Sequence, residues 1–327
     1  MLEISVIIAT HNRCESLKET LKSLLRLEKD GFLNYEIIIA DNNSHDKTKE
    51  VVENFIPQFH GKLRYTFEPL QGKSHALNTA IQEAEGRIIA FTDDDVVVDQ
   101  NWLKNIERYF NQYPDIGGLA GRLTPRLTCK KPSWLELEGN YVLKGGLNFY
   151  DHGDKVFYIE NKSKPFLGAN MALRKEVFER HGLFNENIPK IHNRLLIYED
   201  TEFYRRIKEK GEKVIYAPDV VVEHIFDETR INKKYFRYWY FNAGISAALV
   251  DHPGTVRYFL NFPRWLIRET VENFLRFFLN YVKFDAVKAF YYETQFYFNL
   301  GQARGYLKKS YYENSNNKSR NFSHSSH

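Results

Sequence analysis

Short apolar runs alternate with helix-like segments over the first 125 residues, and this alternation limits the fold more than any other feature of the chain. The runs lie at residues 4–9, 37–40, 63–67 and 88–92. Between them, leucine, valine and alanine recur three or four residues apart, as in an amphipathic helix. Buried strands separated by helices form βαβ units. The sequence therefore predicts an α/β fold with a mostly parallel sheet flanked by helices.

The remainder of the chain is less regular. Residues 117–165 contain glycine pairs and prolines, which predict loops and short strands. The pattern then predicts a strand, two helices and two further strands, at 166–174, 175–181, about 200–210, 213–216 and 219–225. Residues 230–309 read as helical throughout. Residues 313–327 are polar and low in complexity, which predicts a disordered tail.

Charge and aromatic residues are distributed unevenly. Residues 1–229 carry 31 Lys and Arg against 36 Asp and Glu, whereas residues 230–309 carry 13 against 5. Residues 235–312 also hold 24 of the 50 aromatic residues. A mildly acidic body is therefore followed by a basic, aromatic segment with a different expected role. Without a long apolar run or a signal-peptide pattern at the N-terminus, we expect a cytoplasmic protein. Its two cysteines exclude a disulfide scaffold and a cysteine-based zinc site.

Polar clusters end three of the predicted strands. They are Thr10-His11-Asn12, Asp41-Asn42-Asn43 and Asp93-Asp94-Asp95. Ligands of open α/β sheets bind at the carboxyl ends of the strands, so parallel strands bring these clusters to one edge. The alternative is that Asp41 and Asn42 only cap the next helix, which is as good an explanation for these two residues alone.

The aspartate run predicts a metal site. In extended backbone Asp93 and Asp95 point to the same side, and two carboxylates on one face suit Mg²⁺ or Mn²⁺ beside a substrate phosphate. The alternative is a solvated acidic turn. The segment Gly72-Lys73-Ser74 is not a P-loop, because Phe67 stands where that motif needs a glycine. At the start of a helix, Lys73 can still contact a phosphate.

Six motifs, in order, resemble the family 2 glycosyltransferases of the GT-A fold. They are SVIIATHNR, ADNNSHDKT, GKSHALNTA, AFTDDDVVV, GANMALRKEVFERHGLFNE and YEDTEFYRRI, and they cover about residues 3–225. The resemblance implies a catalytic domain at 1–229, with a nucleotide-binding half at about 1–115 and an acceptor and catalytic half at 116–229. A helical extension at 230–312 and the tail follow.

The resemblance also implies roles for individual residues. Nucleotide contacts are expected from Thr10, Asn12, Asp41, Lys73, Asp93 and Asp94. A metal is expected at Asp95, with Asp93 and with His224, although a structural role suits His224 equally well. The pocket for donor sugar and acceptor is expected beside Gly168, Ala169 and Asn170. The catalytic base is expected in the pair Glu199 and Asp200, with Asp200 as the base; the alternative is ordinary charge at a helix N-terminus.

These roles describe an inverting transferase. A divalent cation offsets charge on the leaving diphosphate, and a carboxylate accepts the proton of the attacking hydroxyl. The expected donor is a nucleotide-diphospho-sugar, most simply a UDP-sugar, and the acceptor is a saccharide or lipid-linked saccharide of a cell-surface glycan. One alternative is a sugar-nucleotidyltransferase, although THNRCESLK lacks the glycine-rich basic loop of that class. The other is a non-catalytic membrane-associated scaffold with a degenerate site.

The basic segment leaves two interpretations open. Residues 264–283 place Ile267, Val271, Phe274, Phe278 and Val282 on one helix face and three arginines on another. Such a helix lies either in a membrane interface or against the catalytic domain or a dimer partner, and packing is slightly favoured. The positive charge favours anionic lipid and so a peripheral position on the inner face of the cytoplasmic membrane. We expect no nucleic-acid partner, because no nucleic-acid-binding motif is present.

Overall fold

The computed structural model describes residues 2–27, 34–160, 168–186, 199–250, 258–259 and 262–323, with side chains through Leu307 except those of Val250 and Tyr258. The chain forms two compact units. Unit 1 comprises Met1–Arg126 and Leu147–Ile225, and unit 2 comprises Leu127–Gly146 and Phe226–His327. Residues 127–146 thus join the C-terminal unit, whereas the sequence places them in the catalytic domain. The expected division of the chain at residue 229 stays a prediction.

Unit 1 is a mixed sheet with helices. Its strands are β1 (Ile4–Thr10), β2 (Tyr35–Asp41), β3 (Leu63–Phe67), β4 (Ile88–Thr92), β5 (Val96–Val98), β6 (Gly118–Leu127), β7 (Phe157–Tyr158), β8 (Asn170–Arg174) and β9 (Val214–Phe226). Its helices are α1 (Cys14–Leu24), α2 (Thr48–Phe55), α3 (Lys73–Glu83), α4 (Trp102–Gln112), α5 (Lys175–His181) and α6 (Glu199–Glu209), with a 3₁₀ turn at Ile56–Phe59. The expected strand–helix alternation in the N-terminal part is confirmed.

The strand order is β3-β2-β1-β4-β8-β6-β9-β5, and β7 pairs with β9. Strands β1 to β4 are parallel, while β8 runs antiparallel to β4 and β6, and β9 antiparallel to β5 and β7. The sheet is therefore mixed, and the expectation of a mostly parallel sheet holds only for its first half. Regular strand–helix alternation ceases after β4, and without crossover helices the later strands return in the opposite direction.

Two strands are longer than the sequence indicates. Residues 118–127 form one ten-residue strand despite Pro125, where loops and short strands are predicted. Strand β9 continues through Pro218, where two strands are predicted. Pro218 lies between the stretch that pairs with β7 and the stretch that pairs with β5, so the missing N–H interrupts neither pairing. The first two residues of the strand predicted at 166–174 lie outside the described residues.

The core of unit 1 lies on both faces of the parallel strands. Val6, Ile7 and Ile8 follow one another in β1 and are all fully buried, so successive side chains on opposite faces are covered. Because helices cover both faces, the functional surface of this half of the sheet is restricted to its edge at the carboxyl ends of the strands.

Unit 2 consists mainly of helices α7 (Lys233–Val250), α8 (Arg264–Val282) and α9 (Ala286–Ser323), with short strands β10 (Tyr258–Phe259) and β11 (Phe262–Pro263). Helix α9 continues to Ser323, into the region where a disordered tail is predicted; propagating an existing helix costs little per residue. Among the described helices, none combines the length and the apolar composition that crossing a membrane requires.

Glycines allow α7 and α9 to approach closely. A Cβ added at Gly301 would lie 2.0 Å from the Phe241 carbonyl oxygen, and one at Gly244 would lie 2.0 Å from that of Phe298. Real Cβ atoms do not approach backbone oxygens so closely. The two helices therefore pack backbone to backbone, and larger side chains at these positions would force them apart.

We expect Gly301→Ala to destabilise the protein, although alanine favours an ordinary helix by about 1 kcal/mol. The collision with a backbone oxygen that cannot rotate away should lower the free energy of unfolding by about 1–3 kcal/mol. Thermal unfolding followed by circular dichroism measures this, with the exposed Arg304→Ala as a control on the same helix. An increase in stability would show that the helices are not in close contact at Gly301.

Candidate active site

Three polar strand ends meet at one edge of the sheet. Thr10 at the end of β1 stands beside Asp41 at the end of β2, and the Asn42 N–H donates to the Thr10 carbonyl at 2.8 Å. On the other side, Thr10 Oγ1 donates to Asp94 Oδ2 at 2.8 Å. The predicted convergence of the three clusters is confirmed, and the parallel register of β2, β1 and β4 produces it.

Asp93, Asp94 and Asp95 form the turn between β4 and β5 rather than a continuation of the strand. Within that turn Asp94 lies toward β1 and contacts Thr10 and Arg13. Asp93 and Asp95 nevertheless come together, and His224 Nε2 lies 3.9 Å from Asp93 Oδ2 and 3.1 Å from Asp95 Oδ1. The turn thus brings the Asp93 and Asp95 side chains together, as the sequence predicted from the geometry of an extended backbone.

His224 reaches the aspartates through the antiparallel half of the sheet. It lies on β9 and pairs with Val96 of β5, the residue that directly follows the aspartate turn. Its side chain is buried. One donor atom from each of Asp93, Asp95 and His224 lies within 4.8 Å of the others. Ligands around an octahedral ion with bonds of about 2.1 Å lie about 3 Å apart when adjacent and about 4.2 Å apart when opposite. The three side chains therefore fit a divalent cation in spacing and in chemistry.

Two cations balance the carboxylates. Arg13 lies 2.7 Å from Asp94 Oδ1 and 3.0 Å from Asp95 Oδ2, and Lys73 Nζ lies 2.9 Å from Asp93 Oδ1. Burial alone would raise the pKa of Asp93, but Lys73 and His224 hold that pKa below its ordinary value. Burial raises the pKa of Asp94 to about 6, although Arg13 opposes the shift. Burial lowers the pKa of His224, but the charges of Asp95 and Asp93 and the hydrogen bond to Asp95 together raise that pKa above its ordinary value.

Lys73 connects the aspartates to the predicted base. Its Nζ lies 3.6 Å from Glu199 Oε1, at the first residue of α6. Burial alone would lower the Lys73 pKa, but Asp93 and Glu199 raise it above its ordinary value, so the side chain is charged. Asp93 and Glu199 are therefore held by one ammonium group.

Asp200 is half-buried and lies beside this network. Its Oδ2 accepts from the Gly168 N–H at 2.8 Å, and its Oδ1 accepts from the Thr201 N–H at 2.7 Å. A helix N-terminus usually lowers a carboxyl pKa. Here burial and the neighbouring Glu199 raise the pKa of Asp200 to about 6, against the opposing charge of Lys73. A carboxyl group with that pKa is a suitable general base near neutral pH.

The residues expected to hold the nucleotide also organise the loops. The exposed Asn12 accepts from the His45 N–H at 2.7 Å, and the buried Asp41 accepts from Tyr65 Oη and the Ser44 N–H. Neither Asp41 nor Asn42 caps α2. Asp46 accepts from the Thr48 N–H at the start of that helix instead. The alternative that these two residues only cap α2 is therefore wrong.

The segment Gly168-Ala169-Asn170 joins the two halves of the sheet. Asn170 is buried, its Oδ1 accepts from Trp102 Nε1 at 2.9 Å, and its Nδ2 donates to the carbonyls of Arg122 and Val220. The Thr92 hydroxyl donates to the Ala169 carbonyl at 2.9 Å. These bonds position the backbone that presents the Gly168 N–H to Asp200.

Arg13 was missed from the sequence, as was the contact between Asn42 and the loop before Lys73. Three adjacent carboxylates need a compensating cation, and this need was the signal that could have identified Arg13. Arg13 directly follows the first polar cluster. Asn42 donates to the Leu70 carbonyl at 2.6 Å and accepts from the Gly72 N–H at 2.7 Å, so it fixes the loop before Lys73. No local pattern marks that contact, because the two segments lie about thirty residues apart.

Known proteins share this architecture. The chain is 21% identical over 253 residues to a glucosyl-dolichyl phosphate glucuronosyltransferase of Haloferax volcanii, covering 76% of this chain and 78% of that protein. Its fold is similar to a mannosyltransferase of Pyrobaculum calidifontis solved with GDP-Man and Mn²⁺, with a TM-score of 0.53, 21% identity and coverage of 75% of this chain and 62% of that one. It is also similar to GalNAc-T7 solved with UDP, GalNAc and Mn²⁺, with a TM-score of 0.53, 16% identity and coverage of 76% and 48%.

These structures confirm the expected GT-A fold with a helical C-terminal region. The family model for glycosyl transferase family 2 matches residues 5–182, more than half of the chain. The matched segment contains the three polar strand ends, Lys73 and the Gly168-Ala169-Asn170 segment, while α6 and β9 follow it. On this match, the chain belongs to glycosyl transferase family 2 and is a glycosyltransferase.

Proposed function

We propose that this glycosyltransferase is inverting and metal-dependent, and that it moves a sugar from a nucleotide-diphospho-sugar to a hydroxyl of a saccharide or lipid-linked saccharide. The observation that carries the proposal is the continuous network from Asp95, Asp93 and His224 through Lys73 to Glu199, with Asp200 beside it. The residues proposed to hold the diphosphate and the carboxyl group proposed to accept the proton therefore lie within one site.

The proposed roles follow from these positions. Asp95, Asp93 and His224 hold Mg²⁺ or Mn²⁺, which when bound offsets negative charge on the diphosphate. Lys73 adds a second positive charge on the same side. Thr10, Asn12, Asp41 and Asp94 line the nucleotide side, and Gly168-Ala169-Asn170 borders the sugar.

Asp200 accepts the proton of the acceptor hydroxyl as its oxygen bonds to the anomeric carbon. The bond from that carbon to the diphosphate breaks in the same displacement, which inverts the anomeric configuration. No enzyme nucleophile is needed, and Glu199 contributes by holding the Lys73 ammonium.

The donor and acceptor are proposed from chemistry and from the relatives. GalNAc-T7 was solved with UDP and the mannosyltransferase with GDP-Man, both with Mn²⁺. We take a UDP-sugar as the donor. The name of the Haloferax relative contains a dolichyl phosphate, which supports a lipid-linked acceptor in cell-surface glycan synthesis. For such an acceptor we propose a peripheral position at the cytoplasmic face of the membrane, with residues 230–312 as the contacting part.

Calorimetric titration with UDP, GDP, CDP and TDP, each with and without Mn²⁺, tests the proposal. We expect UDP to bind at least about tenfold more tightly with Mn²⁺, because a divalent cation held by Asp93, Asp95 and His224 would offset the negative charge of the diphosphate. Removing the metal with a chelator should reverse the gain. Folded protein that binds no nucleoside diphosphate would refute the proposal. Release of pyrophosphate from a nucleoside triphosphate and a sugar phosphate would instead identify the nucleotidyltransferase alternative.

A further inference from the structure

Helix α8 turns its apolar side outward. Six of its aliphatic and aromatic side chains are each 46–57% exposed: Val271, Phe274, Leu275, Phe278, Leu279 and Val282. At 100° per residue they fall within an arc of about 140° of the helix surface. We call these six residues the outward face of α8.

The opposite side of α8 carries the helix packing. Leu266 is its only buried residue within the described chain, and it clusters with Ala248 of α7 and Tyr306 of α9. Thr270, Asn273 and Phe277 lie on the same side as Leu266 by helical spacing and are half-buried, so the packing side mixes polar and apolar residues. A helix of a globular protein ordinarily directs most of its apolar side chains inward, so the six exposed apolar side chains of α8 mark a surface for a partner.

Basic residues border the outward face. By the same helical spacing Arg264 and Arg268 fall within this arc in the turns that precede it, and Lys283 follows its last turn. Across residues 230–309, Lys and Arg outnumber Asp and Glu by 13 to 5. A second copy of the chain would bring the same positive charges together, whereas an anionic surface would neutralise them. The charge pattern therefore favours lipid over self-association.

Phe284 adds to this surface at the C-terminal end of α8. It is 95% exposed and has a φ of 58°, in the left-handed region that bulky residues rarely adopt. An aromatic ring presented to water beside Lys283 is typical of residues that enter the headgroup region of a bilayer.

From these observations we propose that the outward face of α8 binds the interfacial region of a bilayer that contains anionic lipid. The helix lies parallel to the surface with its apolar side chains among the acyl chains and Arg264, Arg268 and Lys283 against lipid phosphates. This proposal narrows the membrane contact suggested for residues 230–312 to one helix face. It does not depend on the reaction proposed for the site in unit 1.

Sedimentation of the full chain with vesicles of phosphatidylcholine, alone or mixed with phosphatidylglycerol, tests this. The protein should bind the mixed vesicles at least about tenfold better than the neutral ones, and added salt should weaken binding. The double variant Leu275→Asp/Phe278→Asp should lose at least about tenfold in binding. Tyr238→Asp, at a half-exposed aromatic residue of α7, is the matched control and should bind like the unaltered protein.

A second double variant distinguishes a loss of lipid binding from a folding defect. Arg264→Gln/Arg268→Gln should keep the circular dichroism of the unaltered protein and lose the preference for phosphatidylglycerol. Equal binding of the Leu275→Asp/Phe278→Asp variant, or no vesicle binding by the unaltered protein, would overturn the proposal. The proposal would also be overturned by a stable dimer that light scattering detects and that the Leu275→Asp/Phe278→Asp variant dissociates, if neither protein binds vesicles. Calorimetric UDP binding should be the same in all variants, which separates this test from that of the transfer reaction.

Discussion

Replacing Asp200 by asparagine should abolish sugar transfer and leave nucleotide binding intact. Asp200 is half-buried and its pKa is raised to about 6, so it is largely ionised at neutral pH and can accept a proton. Asparagine has nearly the same shape but cannot accept one. A general base of this kind contributes about 10²- to 10⁴-fold to the rate, so kcat should fall by that factor.

Transfer assayed with UDP-sugars and a lipid-linked saccharide, together with calorimetric UDP binding, measures the two effects. Glu209→Gln, at the far end of α6, is the control and should retain full activity. Asparagine cannot accept from both the Gly168 and Thr201 N–H groups, so a thermal melt should show a modest loss of stability. Unchanged turnover would refute Asp200 as the base. If Glu199→Gln alone removed transfer, the base would be Glu199.

The pH profile gives an independent readout of the same group. Because a base acts only when it is deprotonated, kcat/KM should decline as the pH falls through about 6. The decline should reach about tenfold per pH unit below that value if one proton is involved. An activity independent of pH between 5 and 7, with transfer shown to be rate-limiting, would contradict the assignment.

Asp95→Asn should remove the effect of metal on nucleotide binding. Asp95 Oδ1 is the carboxylate oxygen that lies 3.1 Å from His224 Nε2, and neutralising it takes away one of the two anionic ligands. We expect UDP affinity in the presence of Mn²⁺ to fall at least about tenfold, to the level measured with chelator. Transfer should be lost in parallel.

Asp99→Asn is the matched control, because Asp99 is exposed and lies only four residues away. His224→Ala should weaken Mn²⁺ dependence as well if His224 is a ligand, and should change only stability if it is structural. Metal titration of the protein without nucleotide distinguishes a lost metal site from a lost nucleotide site. Full retention of Mn²⁺-dependent binding in Asp95→Asn would place the metal elsewhere.

Much of the parallel half of unit 1 could be predicted because its pattern is local. The apolar strands, the helices that follow them and the polar residues at their carboxyl ends are each visible in short windows, and parallel pairing then brings Thr10, Asp41 and Asp93 to one edge. The antiparallel half was harder, since strand direction depends on the path between strands. Residues 118–127 have no alternation strong enough to distinguish a strand from a loop.

The chemistry of the site could be predicted from local sequence alone, because three adjacent carboxylates after a buried strand repel one another unless cations compensate them. The sequence also determined the amphipathic character of α8. The three-dimensional contacts were needed to identify those cations as Arg13 and Lys73 and to bring His224 to the aspartates from strand β9. They also decided that α8 turns its apolar face outward. These outcomes depend on contacts between distant segments, and residue spacing determines which side chains share a face but not what lies opposite that face.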